Sequence, residues 1–541
     1  MEILEPQSKR VLVIGGGVAG LEASRNLVMQ GYNVCLLEKE PELGGTVKKL
    51  DHLYPEGMPD SHTLGPLIGD VKSKKNIEII TNGKILDVTG DIGNYEVKIK
   101  VKGKEKTLWV GVIIVATGFK EYDVAKVTPY GYGRYKNVIK PLDFDEMVSS
   151  GKIDLKKVNS VVIINCAGSR DKKYLSYCSR ICCFIGLKKA KLIKDMNPKT
   201  EVYICYIDMR SYGNLDSLYN LLRERYMVNF IRGRPSNIEE KDNKLYVTVE
   251  DSMIDEVLNI EADYVILSHG YVGDDETLSK LNIPLDEYDK GNFPTTYCNA
   301  SLSIDSNPRG IFICGAASYP KIVPETLSDA RNTVLSALNT LKNIGLNTPV
   351  SEINTDICSQ INCKLCLSVC PYGAIVEENE KIKVISSMCM GCGICTATCP
   401  SGANQLEGFS DSEIYKTIEE RVKPGNTVAF LCQWCPYPAY EESKNGFKSV
   451  KVIKIPCSGR ISAGLILKAF NRDAKNVLVG GCYLDSCHYI RGNLRAWRRV
   501  MLTKSLINQF GITPDSLRIE WICKHETDKL HRILHEMVGG A

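Results

Sequence analysis

Val11-Leu-Val-Ile-Gly-Gly-Gly-Val-Ala-Gly20 decides the fold of the first part of the chain. Val11 to Ile14 is a short apolar run and reads as a buried strand. Gly15, Gly17 and Gly20 follow in the spacing G-x-G-x-x-G. Leu21 to Gln30 then reads as a helix, and Val34 to Leu37 as a second strand ending at Glu38. Glycine-rich turns are common, but this one stands between a strand and a helix, with an acid at the end of the next strand. That context is what a dinucleotide-binding βαβ unit requires. Glycines let the backbone turn tightly and approach a pyrophosphate, and the helix N-terminus favours its charge. Glu38 can accept a ribose hydroxyl and disfavours a 2′-phosphate.

Three later stretches extend the pattern. Gly44-Gly45 follows the second strand, and Ile113-Ile-Val-Ala-Thr-Gly118 is an apolar strand running into Thr117 and Gly118. Gly310-Ile-Phe-Ile-Cys-Gly315 is a late apolar strand. Together they resemble flavoproteins of the thioredoxin-reductase type over about residues 9–345. The resemblance implies one FAD, held by Gly15, Gly17, Gly20, Glu38, Gly45, Thr117, Gly118 and Gly315, in a discontinuous domain of residues 1–160 and 290–345. The acid usual after the late glycine is here Ala316.

Residues 161–289 begin with another strand, Val161-Val-Ile-Ile164, but it leads into Asn165-Cys-Ala-Gly-Ser-Arg-Asp171 with one glycine. The pyridine-nucleotide site expected here is therefore lost. Cys166, Cys178, Cys182 and Cys183 lie within eighteen residues, enough thiolates for an iron–sulfur cluster; a zinc site or unpaired buried thiols are the other readings. Cys-x-Gly-Ser-Arg-Asp followed by Tyr-Cys-Ser-Arg-x-Cys-Cys resembles the A-type subunits of heterodisulfide reductase from methanogens. That resemblance implies a [4Fe–4S] cluster on these four cysteines beside the flavin. It also matches Lys188 and Lys321 to lysines near the isoalloxazine, where a cation tunes flavin chemistry; solvated surface charges are the alternative. The family usually has an additional N-terminal cluster module, expected here to be missing or on another polypeptide.

Cys389, Cys392, Cys395 and Cys399-Pro400 spell C-x2-C-x2-C-x3-C-P. Cys358, Cys363, Cys366 and Cys370-Pro371 precede them, and Cys370-Pro-Tyr-Gly-Ala echoes Cys399-Pro-Ser-Gly-Ala. This is the two-cluster ferredoxin pattern, in which the fourth cysteine of each run serves the other cluster. One site takes Cys389, Cys392, Cys395 and Cys370; the other takes Cys363, Cys366 and Cys399. Regular spacing puts the remaining ligand at Gln360, so Cys358 either enters through a small loop insertion or leaves a three-iron site. The module spans residues 350–410.

In residues 411–541, Val428-Ala-Phe-Leu431 runs into Cys432 and Cys435, Val452-Ile-Lys-Ile455 into Cys457, and Val477-Leu-Val479 into Cys482, with Cys487-His-Tyr489 beyond. Cysteines at the ends of successive parallel strands converge on one sheet edge. Phe430-Leu-Cys-x-Trp-Cys435, Pro456-Cys-Ser-Gly-Arg460 and Gly481-Cys482 with Gly492-Asn493 resemble the delta subunit of methyl-viologen-reducing hydrogenase, which implies a [2Fe–2S] cluster. Five cysteines compete for four positions, and zinc is the alternative occupant. His488 reads as a neighbour of the site, and Arg495, Arg498 and Arg499 as a solvated or docking face.

The expected architecture is α/β: a thioredoxin-reductase-like flavoprotein with two dinucleotide-type domains, an α+β two-cluster ferredoxin module and a C-terminal α/β iron–sulfur domain. The 541 residues carry a net charge of only +4, against nucleic-acid binding. No signal peptide or run of about 18 apolar residues is present, so a cytoplasmic location without a membrane span is expected. Of 22 cysteines, seventeen fall in the three groups; Cys35, Cys205, Cys298, Cys314 and Cys523 read as buried free thiols. One FAD, three [4Fe–4S] clusters and one [2Fe–2S] cluster imply an electron-transfer subunit with a flavin hub. The resemblance supplies its partners: B- and C-type heterodisulfide reductase subunits, a hydrogenase or formate dehydrogenase, and ferredoxin, around a homodimer. Other readings are a component of a quinone-interacting membrane complex, a non-catalytic electron wire, or an NAD(P)H-dependent disulfide reductase. The last lacks its second glycine motif and its C-x2-C.

Overall fold

The computed structural model describes residues 10–50, 64–213, 216–285, 291–294, 308–342, 349–358, 363–442 and 448–539. It divides into two compact units: Met1–Thr295 with Gly310–Lys342, and Thr296–Arg309 with Asn343–Ala541.

The first unit holds two five-stranded parallel sheets on one plan. In the first, the order is Ile311–Ile313, Val112–Val115, Arg10–Ile14, Asn33–Leu37, Ile77–Ile80. In the second it is Val138–Ile139, Tyr264–His269, Ser160–Ala167, Glu201–Tyr206, Asn229–Arg232. Parallel strands with both faces covered read as unbroken apolar runs, which is why Val11-Leu-Val-Ile14 and Val161-Val-Ile-Ile164 were legible. Val11, Leu12 and Val13 are fully buried, worth roughly 1.5–3 kcal/mol each. The first helix runs Val18–Met29, starting three residues earlier than the sequence pattern suggests. A three-stranded antiparallel meander interrupts each sheet. Gly83–Asp91, Asn94–Val101 and Lys104–Val110 precede Val112–Val115 in one, and Asn237–Lys241, Lys244–Asp251 and Glu256–Ala262 precede Tyr264–His269 in the other.

The second unit contains a small module of two antiparallel strand pairs, Ser351–Ile353 with Asn404–Leu406 and Ile375–Glu378 with Lys381–Val384. It packs on a four-stranded parallel sheet ordered Val450–Ile455, Thr427–Cys432, Asn476–Gly481, Leu517–Trp521. No helix among the described residues is long and apolar enough to cross a membrane.

Candidate redox sites

At the dinucleotide cradle, the Gly15 φ is +109°, and a Cβ there would meet the Ala116 carbonyl oxygen at 2.3 Å. A Cβ on Gly20 would stand 1.8 Å from the Gly15 oxygen, because helix and strand meet there backbone to backbone. Glu38 is buried; its Oε2 accepts from Gly16 N at 2.6 Å and its Oε1 from Glu40 N at 2.8 Å. Gly44 N donates to Gly16 O at 2.8 Å, bringing Gly45 onto Gly17. Thr117 Oγ1 is buried without a partner, and Gly118 is left-handed at φ +71°. Gly15, Gly17, Gly20, Gly45, Thr117 and Gly118 thus surround the strand-to-helix turn in the manner an FAD pyrophosphate needs. Gly315, at the end of the late strand, packs on Ala19 of the first helix.

Opposite Ala316 the structure supplies an acid that the sequence did not reveal. Asp329, on the helix Val323–Lys342, accepts the Gly315 N–H at 2.8 Å and pairs with Lys321 Nζ at 2.7 Å. Lys321 also donates to Ser318 Oγ (2.5 Å) and Gly315 O (3.1 Å). Its ammonium is therefore tied into the late FAD-side loop rather than solvated. Lys188 is half-buried on the helix Cys182–Met196.

That helix brings the next group together. Cys166 lies near the end of the strand Ser160–Ala167 in a left-handed conformation, φ +59°, at an irregularity in the ladder. Cys182 and Cys183 open the helix, and all three are buried in one cluster flanked by Ile207 and Met209. The Cys182 contact pulls Cys166 down to about 7 against the effect of burial, while Cys182 itself is pushed up. Metal ligation would need all of these thiols deprotonated. Cys178, half-buried, accepts the Arg180 N–H at 3.3 Å, and Arg210 faces it. Asn165, Ser169 and Ser179 beside these cysteines are buried, with side-chain polar atoms that have no partner. These residues suit an anionic cluster at a helix N-terminus. Tyr319 donates to Cys178 O (2.6 Å), and Arg180 bonds Pro320 O (3.1 Å) and Glu325 (2.9 Å), so the loop is fastened to the Lys321 segment.

In the ferredoxin module Cys389, Cys392 and Cys395 are buried in one apolar cluster with the half-buried Cys370. Cys358, Cys363, Cys366 and Cys399 line a second cavity together. Ser351 N donates to Cys389 Sγ (3.5 Å), and Ser351 Oγ lies 3.4 Å from Cys395 Sγ and 2.6 Å from Asn404 Oδ1. Asn404 N donates to Cys399 Sγ at 3.4 Å. These contacts link the two sites, and the sequence motif gave no hint of them.

The C-terminal cysteines converge as the strand pattern predicts. Cys432 Sγ lies 3.9 Å from Cys482 Sγ, Cys457 touches both Cys432 and Cys487, and Cys482 also touches Cys435, which faces Cys487 as well. Cys435, Cys482 and His488 also offer ligand atoms within 4.8 Å of one another. His488 Nδ1 is 3.7 Å from Cys482 Sγ, and its ring stacks on Trp434 at 4.6 Å. Cys457, Cys487 and Tyr489 belong to the same apolar cluster as Cys389, Cys392, Cys395, Tyr372 and Ile394. The two cysteine groups thus share a core. Arg499 departs from the solvated face read from the sequence: Nη1 donates to Gly459 O and Ile461 O, both at 2.7 Å, and Nη2 to Thr398 Oγ1 (2.9 Å) and Ile394 O (3.4 Å). Carbonyls left open at turns of both modules need a donor, and the long guanidinium reaches them.

Of the scattered cysteines, Cys35, Cys205 and Cys314 are buried and free, and Cys523 is half-buried; Cys298 lies outside the described residues.

The model of the methyl-viologen-reducing hydrogenase delta subunit matches residues 427–540. Those of the pyridine nucleotide-disulphide oxidoreductases and of the 4Fe-4S dicluster domain match residues 9–164 and 352–403. An A-type iron–sulfur subunit of the CoB–CoM heterodisulfide reductase of Methanopyrus kandleri is 33% identical over 69% of this chain and 70% of its own length. The chain belongs to the A-type family of heterodisulfide reductase subunits. Another family member, from the ferredoxin/F(420)H(2)-dependent CoB-CoM heterodisulfide reductase of Methanosarcina acetivorans, is 28% identical over 98% of this chain and 79% of its own. The corresponding polypeptide of the H(2)/formate:CoB-CoM heterodisulfide,ferredoxin reductase of Methanococcus maripaludis is 30% identical over 76% and 77%. As a heterodisulfide reductase A-type chain, the protein is an iron–sulfur flavoprotein oxidoreductase.

Proposed function

We propose that this chain is the electron-transfer component of a heterodisulfide-reductase-like complex. It relays electrons between a hydrogenase- or formate-dehydrogenase-type donor, ferredoxin and a separate disulfide-reducing subunit. The observation that carries this reading is the shared core of the C-terminal and ferredoxin cysteine groups, joined through Tyr372, Tyr489 and Ile394. Such packing suits two sites that exchange electrons. At the other end, Tyr319 and Arg180 fasten the Cys178 loop to the FAD-side segment. FAD, when bound, supplies exchange of one or two electrons, whereas iron–sulfur clusters carry one; this difference is what a bifurcating subunit exploits. Lys321, held by Asp329, positions charge beside that site, and Lys188, on the helix that Cys182 and Cys183 open, is the second lysine assigned to it. The cytoplasm suits such a protein, working as a homodimer within the larger assembly.

The cofactor set is one FAD, a [4Fe–4S] cluster on Cys166, Cys178, Cys182 and Cys183, two on the ferredoxin cysteines including Cys358, and a [2Fe–2S] cluster. For the last, Cys432, Cys457, Cys482 and Cys487 form one continuous run of thiol contacts and are the four assigned to it. Cys435, at the end of that run against Cys482 and beside His488, is left outside the set. The domain limits are those read from the sequence.

Anaerobically purified protein should contain about fourteen irons per chain and one flavin. About eight irons with bound zinc would break the relay and overturn the reading. Cys435→Ala should retain the [2Fe–2S] electron paramagnetic resonance signal, and Cys457→Ala should lose it.

A further inference from the structure

Two arginines lie where the ferredoxin module meets the C-terminal sheet. Arg460 is fully buried. Its stem packs against Gly393, where an added Cβ would stand 2.5 Å from Arg460 Cδ. Gly393 follows Cys392, and Arg460 N donates to Cys457 O at 2.9 Å. Arg460 Nε donates to Phe409 O (2.8 Å) and Nη2 to Asp411 (2.7 Å), while Nη1 is buried with no partner. Arg499 holds the neighbouring turns from the other side, on Ile394 and Thr398 of one module and Gly459 and Ile461 of the other. Its bonds end on neutral carbonyls and a hydroxyl. The charges facing it are Arg460, Arg495 and the thiolate positions of Cys392 and Cys457. Among the described residues, Asp411 is the single carboxylate bonded to this pair.

Arg460 is fully buried and Arg499 half-buried, and the carboxylates near them are Asp411, bonded to Arg460, and Glu413. A guanidinium held out of water, with Nη1 of Arg460 lacking an acceptor, favours an anion nearby, and the sulfur sites of Cys392 and Cys457 are the neighbours that gain negative charge when a cluster there is reduced. We infer that Arg460 and Arg499 form a cationic junction that raises the reduction potentials of both adjoining cluster sites, making it a favourable stop for an arriving electron. Adding one electron to either site increases its negative charge, so the attraction to a fixed cation grows on reduction. No proton is needed. The inference rests on the relay reading above. Both arginines act here as positioning residues for charge, beyond their role in holding the modules together.

The test is electron paramagnetic resonance at poised potentials on the full-length chain. Arg499→Gln should lower the midpoint of the [2Fe–2S] site, and of the Cys389 site beside it, by about 59 mV, a tenfold fall in the reduced-to-oxidised ratio at fixed potential. Arg499→Lys should restore most of the loss. Asp411→Asn, which removes the compensating anion without removing either arginine, should shift both midpoints upward. A purely structural role moves none of these in opposite directions. Unchanged midpoints in Arg499→Gln and Asp411→Asn, with full iron content, overturn the inference. If Arg499→Gln does not fold, the sign of the Asp411→Asn shift decides alone. Absence of iron in the unmodified chain would instead overturn the relay reading.

Discussion

At Gly20 the space for a side chain is already filled by the Gly15 carbonyl oxygen, 1.8 Å from where a Cβ would lie. Gly20→Ala must push helix from strand, so purified protein should retain less than about a tenth of its flavin, as absorbance per chain shows, and melt several degrees lower. Glu121 makes a different kind of prediction. Burial pushes its carboxyl up, but contacts with His269 and Lys140 overcome this and hold it down at about 2. An unfolded glutamate titrates near about 4.3. The stability it contributes is therefore complete above about pH 4.5 and is lost as pH falls toward 2. With its partial exposure, roughly 1–2 kcal/mol is at stake. Glu121→Gln should flatten the acid limb of the melting temperature against pH, and an unaltered limb would discount the contact.

Between elements, the helices Pro141–Ser149 and Cys182–Met196 meet through Asp145 and Lys189, a pair whose side chains are each 3% exposed. Lys189→Met would leave the Asp145 charge buried and should cost about 3–5 kcal/mol, read from the urea midpoint; adding Asp145→Leu should recover most of it. Legibility also divides at this scale. Strands that end in glycine or cysteine were readable because an apolar run followed by a special residue has few other meanings. The two meanders were missed: their alternating, half-exposed strands, such as Asn94–Val101, carry neither signal. Arg460 was read only as part of the Pro456-Cys-Ser-Gly-Arg460 motif, and Arg499 as a solvated or docking face, because the sequence does not disclose the open carbonyls around either. Asp329 escaped for a related reason, since it reaches Gly315 from a helix fourteen residues away.

Over the whole molecule, the second parallel sheet repeats the plan of the first but not its glycine cradle. Where a nicotinamide nucleotide would lay its pyrophosphate, the strand Ser160–Ala167 carries Cys166 near its end and the following helix opens on Cys182 and Cys183. NADH or NADPH should therefore leave the flavin absorbance unchanged, whereas reduced methyl viologen should bleach it. Rapid bleaching by either nucleotide would overturn the expectation that the pyridine-nucleotide site is lost. The single Gly168 marks the departure from the glycine motif in the sequence; the shared plan of the two sheets became visible only in three dimensions.

The convergence of three strand ends in the C-terminal sheet also bears on how the protein is made. Cys432 and Cys487 are some fifty-five residues apart. Cys432 ends the strand Thr427–Cys432 and Cys487 lies beyond its partner Asn476–Gly481, so the growing chain cannot gather these thiols until both strands have left the ribosome. Cys389, Cys392 and Cys395 emerge within seven residues, after Cys370 has already appeared. Maturation should consequently run in chain order, with the ferredoxin sites accepting metal during synthesis and the C-terminal site last, and chains released early should carry iron in the first and bare thiols in the other.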